Sequence, residues 1–278
     1  MDNMFFSITE NGNRNEIPIS DDGVKIIENW KMNYATLFKI NSCLFQLAIN
    51  YKDFIHFIDN YEKDNIICKI PYTNKYDYVG MQYNRYLLNL ASSYAACIDH
   101  FKEICINEEY NLGNKFSNIQ KKKYHKSLEY RLLKKAIRNF AIHHAPPSTK
   151  VKITRKKIVC TKEYLLENKF LNSKCRNDIE SLPNEIDLNI YISEAIKELL
   201  DMLNKLTYII FNKGLEFYKP LEQYFLTLGI YITKDDIYLD INNCIEKCIF
   251  EKEYNFFNKI AENKKYATMK FESFIENT

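Results

Sequence analysis

Apolar residues recur at helical spacing along most of the chain. Between about Asp22 and Tyr61 the series opens with Ile26, Ile27 and Trp30. It continues through Leu37, Leu44, Ala48, Tyr51, Ile55 and Ile58, which predicts one long helix or two in sequence. Residues 62–78, with Pro71-Tyr72-Thr73-Asn74, read as a loop. A second helix is expected from about Val79 to Ile106, with a core stripe of Leu87, Leu90, Ala91, Tyr94, Ile98, Phe101 and Cys105. Its opposite face is polar: Arg85, Asn89, Ser92, Asp99 and Glu103. Asn111-Leu112-Gly113-Asn114 breaks the pattern, and a third helix is expected to run on to near His144, its stripe Leu128, Leu132, Leu133, Ala136, Ile137, Phe140 and Ala141. Pro146-Pro147 stops it, because proline lacks a donor and disfavours helical geometry in the residue before it.

Residues 1–21 are polar and turn-rich, a short strand or arm, and Val151 to Cys160 alternates as a short extended pair. Residues 161–187 allow one short helix. A strong helix follows from about Ile190 to Phe211, carrying Ile192, Ile196, Leu199, Leu203, Leu206 and Ile210 on one face. Further helical regions are expected over 215–228 and 240–275. Only six glycines and six prolines punctuate 278 residues, too few turn formers for a many-stranded sandwich or barrel. The fold class is therefore all-α, with at most a short β element. A soft boundary near 148 divides a helical domain at 1–148 from a C-terminal helical region at 149–278.

Charge changes this picture. The net charge is +3, but residues 115–162 hold fifteen Lys or Arg against one acid, Glu129. That block carries +14 and the rest of the chain −11. So basic a segment in an acidic chain is the footprint of a polyanion-binding surface, although lysine runs also serve as solvated helix faces. Tyr124 and Tyr130 interleave it and suit either base stacking or a core, since one-turn spacing fits both. The eight cysteines are scattered without a Cys-x-x-Cys, and runs such as Ile66-Ile67-Cys68-Lys69-Ile70 suggest buried structural thiols in a reducing cytoplasm. No stretch approaches the roughly 18 apolar residues of a membrane span, and the first residues do not read as a signal peptide. Asp21-Asp22 and Asp235-Asp236 are turn formers without metal spacing, and Gly-rich phosphate loops are absent. Neither a cofactor nor a metal is expected.

The chemistry-bearing stretch is Arg138-Asn139-Phe140-Ala141-Ile142-His143-His144, set inside the basic block and before the diproline. It resembles the Arg-x(4–6)-His motif, often Arg-Asn-x(3)-His, of HEPN-superfamily ribonucleases. The preceding helix, Asn84 through His100, also resembles the partner helix of those domains, and the likeness covers about residues 24–147. It implies a HEPN-like antiparallel helical bundle and a homodimer in which two copies bring Arg and His to one cleft. It further implies metal-independent cleavage of RNA to 2′,3′-cyclic phosphate and 5′-hydroxyl ends. Such proteins often act in phage defence or toxin–antitoxin systems, so an antitoxin is among the partners implied.

The residue types suit that reaction. Histidine exchanges protons near neutrality, and arginine offers a planar, permanently charged fork to phosphate oxygens. Asn139, one turn before His143, is placed to orient its imidazole. In this reading Arg138 holds the scissile phosphate and His143 transfers the proton. The tandem His144 leaves the register between x(4) and x(5) open. Lys121, Lys122, Lys123, Lys126, Arg131, Lys134, Lys135, Arg155, Lys156 and Lys157 would guide RNA. A structural reading stands beside it: at ~100° per residue Arg138 and His143 lie about 140° apart, and either histidine suits a helix C-terminus. A binding module without catalysis and an interaction protein for an acidic partner are the competing classes. Asp99 is a weaker site candidate, His56 reads as core, and His100 and His125 as surface.

Overall fold

The computed structural model describes residues 4–8, 14–63, 65–107, 110–137, 149–152, 157–167, 171–217, 220–221, 223–224, 237–241, 244–248 and 263–277. The protein is mainly helical, as the periodicity predicts. Its long helices are α1 (Asp21–Asn60), α3 (Tyr72–Ile106) and α8 (Leu188–Gly214). Shorter ones are α2 (Asn65–Lys69), α4 (Gly113–Lys126), α5 (Leu128–Arg131), α6 (Lys162–Leu166), α7 (Ser173–Glu180) and α9 (Tyr266–Asn277). No described helix is long and apolar enough to cross a membrane.

The chain divides into two compact units, one of residues 1–39 and 205–266, the other of 40–204 and 267–278. In the first unit, β1 (Met4–Ile8) pairs antiparallel with β2 (Arg14–Pro18), as the expected short strand allows. Ser20 donates its backbone N–H to the Tyr224 hydroxyl at 3.0 Å, and that ring comes so close to Gly23 that an added Cβ would sit 2.1 Å away. Any larger residue at 23 would force the Tyr224 ring to move. Ile27 and Trp30 are buried in this unit, and Phe211 meets Tyr266 edge-on at 5.2 Å.

The second unit holds the larger core. Every residue of the expected α3 stripe, from Leu87 to Cys105, is buried, and the five polar positions from Arg85 to Glu103 are exposed. The α8 stripe behaves likewise within this unit at Ile192, Ile196, Leu199 and Leu203. Tyrosine hydroxyls satisfied at the far end of buried rings tie the helices together. Tyr83 donates to Asn189 Oδ1 at 3.1 Å, and Tyr94 to the Ala195 carbonyl at 3.3 Å. Burial pushes both phenols well above the ordinary tyrosine pKa. Asn204 and Thr268 bond reciprocally, at 2.7 and 3.1 Å, and so dock α9 against α8. A three-stranded antiparallel sheet of β3 (Thr149–Lys152), β4 (Lys157–Thr161) and β5 (Glu185–Ile186) completes the unit. The extended pair expected at 151–160 is thus present, with a third strand added.

Several expectations need correcting. The loop expected at 62–78 is largely helical, because Pro71 ends one segment and opens α3, where a missing N–H costs nothing. In the last turns of α1 and the residue after it the core positions are Phe54, Phe57 and Tyr61, while Ile55 and Ile58 are half-buried. Aromatic contacts with α3 set that register: Phe54 lies 5.5 Å from Tyr83, and Phe57 5.1 Å from Tyr86. His56 is accordingly exposed rather than core. Residues 161–187 form two short helices, not one. Where a helix was expected from 240, β6 (Ile237–Ile241) pairs antiparallel with β7 (Cys244–Cys248), and two asparagines, turn residues by preference, separate the strands in sequence. The soft boundary near 148 falls inside the second unit, whose contacts join residues from both sides: β3 touches α3, and Arg131 pairs with Asp178.

Leu90 is fully buried, and truncation there leaves a cavity among helices that cannot close it. Leu90→Ala is expected to lower unfolding free energy by about 2–5 kcal/mol in urea titrations. Met81→Ala, on the same helix but 63% exposed, should leave the midpoint nearly where it was.

Candidate functional site

The basic segment begins at a turn. Asn111 adopts φ 47°, a left-handed conformation asparagine tolerates, and the Leu112 N–H returns to the Cys105 carbonyl at 2.7 Å. Helix α4 then starts at Gly113. The single helix expected to run on to His144 is interrupted at Ser127, whose backbone is extended (φ −109°, ψ 116°). Its Oγ accepts the Tyr130 N–H at 3.0 Å, so the residue that ends α4 also caps α5. From Leu132 to Ile137 the chain makes a π-helical turn, a rare geometry that concentrates at functional sites. Tyr130 and Arg131 at the end of α5 and Leu132 and Leu133 at the start of the turn are all buried in succession. Ile137 is buried as well, so the chain reaches Arg138 from an anchored point.

Helix α4 has two chemically distinct faces. Asn114, Lys115, Asn118, Lys121, Lys122, His125 and Lys126 are exposed, and their spacing places them along one side. That side carries four lysines and no acid. The other side is bound into the unit. Phe116 is buried, and the Lys123 ammonium pairs with Glu198 and, at 2.8 Å, with Asp201. Burial works against the Lys123 charge, but the hydrogen bonds to Asp201 and Glu198 outweigh it and hold the pKa above the usual lysine value.

The other expected RNA-guiding residues sort by environment. Arg131 is 5% exposed and cannot meet a ligand. Its Nε donates to Asp178 at 2.6 Å, its Nη1 to the Tyr124 carbonyl, and its guanidinium lies 5.8 Å from the Tyr124 ring centroid. Lys123 and Arg131 are therefore structural cations, neutralised by acids distant in sequence. Lys134 is half-buried and donates to the Tyr130 hydroxyl at 3.3 Å. Lys121, Lys122 and Lys126 are exposed as expected. The side chains of Lys135 and Lys157 lie outside the described residues, as do Arg155 and Lys156 entirely. So do Arg138, Asn139, His143 and His144.

Tyr130 is fully buried 6.1 Å from Tyr94, and burial pushes its hydroxyl up to about 12; it is unavailable for base stacking. Tyr124 is half-buried, and its hydroxyl accepts from Asn172. Asp99, His100 and His125 are exposed, and Lys174 donates to the His125 carbonyl at 3.0 Å. Among the described cysteines, 43, 97, 105, 160 and 175 are buried, whereas Cys68 is exposed and donates to the Glu62 carbonyl, correcting its reading as buried. Burial holds the Cys105 and Cys160 thiols at about 12, so they stay protonated and serve as small apolar groups. Lys115 and the two amides, Asn114 and Asn118, were missed as members of this surface. Their signal was present as polar positions spaced by three and four opposite Phe116.

Compared with known proteins, the chain matches no family model, no curated protein sequence and no solved structure.

Asp178 balances a guanidinium taken out of water. Removing it with Asp178→Ala strands the Arg131 charge and is expected to destabilise the protein by about 3 kcal/mol. Lys122→Ala, on the exposed face, should not move the urea midpoint.

Proposed function

We propose that the protein is a metal-independent endoribonuclease in which α4 holds RNA and the following Arg138–His143 segment performs the cleavage. The observation that carries this reading is the acid-free lysine face of α4, on a helix whose fifth lysine, Lys123, is turned inward and paired, as is Arg131 on α5. Backbone phosphates are what such a face attracts. The resemblance of Arg138-Asn139-x(3)-His143 to the HEPN motif supplies the chemistry. Arg138 steadies the phosphate as charge develops on it, and His143 moves the proton between the ribose 2′-hydroxyl and the leaving oxygen. Asn139 orients the imidazole, and two copies of the chain contribute to one cleft.

A second reading, a binding module without catalysis, is favoured by the same lysine face, since it accounts for affinity and requires no reaction. Single variants separate the two. Arg138→Ala or His143→Ala should abolish RNA cleavage in EDTA while RNA affinity and helical circular dichroism persist, and wild-type products should carry 2′,3′-cyclic phosphate ends. Cleavage undiminished by both substitutions rules out the nuclease mechanism, and absence of cleavage by the wild type leaves the binding module.

A further inference from the structure

We infer that the exposed face of α4 is a rail for the phosphate backbone of double-helical RNA, rather than a groove for unpaired bases; this deepens the ribonuclease reading and rests on it for the choice of RNA.

Three features of the helix carry the assignment. The first is what the face offers. Lys115, Lys121, Lys122 and Lys126 supply ammonium groups, with two amides and an imidazole between them. Ammoniums bind phosphate as point charges and read no sequence. The second is what the face withholds. Proteins that hold single strands stack successive bases on aromatic rings. The two tyrosines that interleave the basic segment are committed elsewhere, Tyr130 inside the core and Tyr124 against Arg131 and Asn172. No phenylalanine, tyrosine or tryptophan stands among the seven exposed positions of α4, and the one ring there, His125, meets Tyr124 edge-on at 5.9 Å. A bare cationic ridge suits a ligand whose bases are already stacked and whose charge lies outside.

The third is rigidity and length. From Lys115 to Lys126 the helix rises about 16 Å, a span that faces roughly five phosphates of one strand in a duplex. Lys123 clamped to Asp201 and Glu198, Gln120 bonded to the Tyr130 hydroxyl and Ser127 capping the next helix anchor the rail before any ligand arrives. An anchored helix fits a regular array of phosphates better than it fits a flexible strand, because neither partner is reorganised on contact.

The test uses the full-length protein and RNA with 2′-O-methyl sugars, which cannot be cleaved through the 2′-oxygen. Fluorescence anisotropy compares a blunt duplex of roughly 16 base pairs with its single strand. The duplex should bind more tightly, and four lysine contacts should contribute a slope of about −3.6 to log K against log salt, against about −2.8 on the single strand. Between 50 and 200 mM salt such a contribution is worth roughly a hundredfold in duplex affinity. Replacing Lys115, Lys121, Lys122 and Lys126 together by Gln should remove most of it, and replacing the same four by Arg should restore it, which separates charge from folding. Equal or tighter binding of the single strand overturns the inference, as does an unchanged salt slope in the Gln variant. Tighter binding of a DNA duplex, or of polyglutamate as an acidic-protein mimic, also overturns it. Duplex preference without any cleavage of unmodified RNA leaves the rail standing and removes the nuclease reading. Cleavage that depends on His143 without duplex preference removes the rail alone.

Discussion

A guanidinium moved out of water keeps its charge, so the fold around it must supply an anion. Arg131 imposes that requirement on the basic segment, and Asp178 on α7 meets it at 2.6 Å. Much follows from this pairing. It joins α5 to α7, places the Tyr124 ring beside the guanidinium, and fixes the point at which the chain enters the π-helical turn toward Arg138. Lys123 does the same one helix earlier, drawing Glu198 and Asp201 of α8 against α4. Two cations bound inward thereby determine which cations face outward.

The helices were legible because their burial is periodic. On α3 each apolar position of the stripe is covered and each polar one across from it is exposed. Such agreement arises where a helix packs along its length and no local interaction competes. The misreadings sit where something local does compete. Ser127 offers its hydroxyl to the Tyr130 N–H, which favours ending one helix and starting another over continuing the first. In α1 the stripe drifts by one residue, and Phe54 and Phe57 meet the α3 tyrosines in place of Ile55 and Ile58. Apolar spacing does not register either effect.

The candidate surface was half legible for a different reason. Counting charge along the chain finds the basic block but treats all fifteen cations alike. Neutralisation is a property of three-dimensional neighbours, and the acids that answer Lys123 and Arg131 lie 47 to 78 residues further on. Facing, by contrast, was readable: positions 114, 115, 118, 121, 122, 125 and 126 share a side of any regular helix, and Phe116 marks the opposite one.

The division of labour between the two kinds of cation also bears on the chemistry. The chain has six arginines among thirty-nine basic residues, and lysine makes up the rest. Two of the described arginine side chains make directional contacts: Arg131 forks between Asp178 and a carbonyl, and Arg85 lies 4.5 Å from the Tyr86 ring centroid. The outward face of α4 is built with lysines alone. Ammoniums suffice for gathering phosphates, since that attraction needs charge and little geometry. Stabilising a phosphorane needs a fixed fork, and a rigid fork is what arginine provides. In the reaction proposed above, the arginine at 138, which follows the buried Ile137 in sequence, is the residue type that the second task would require.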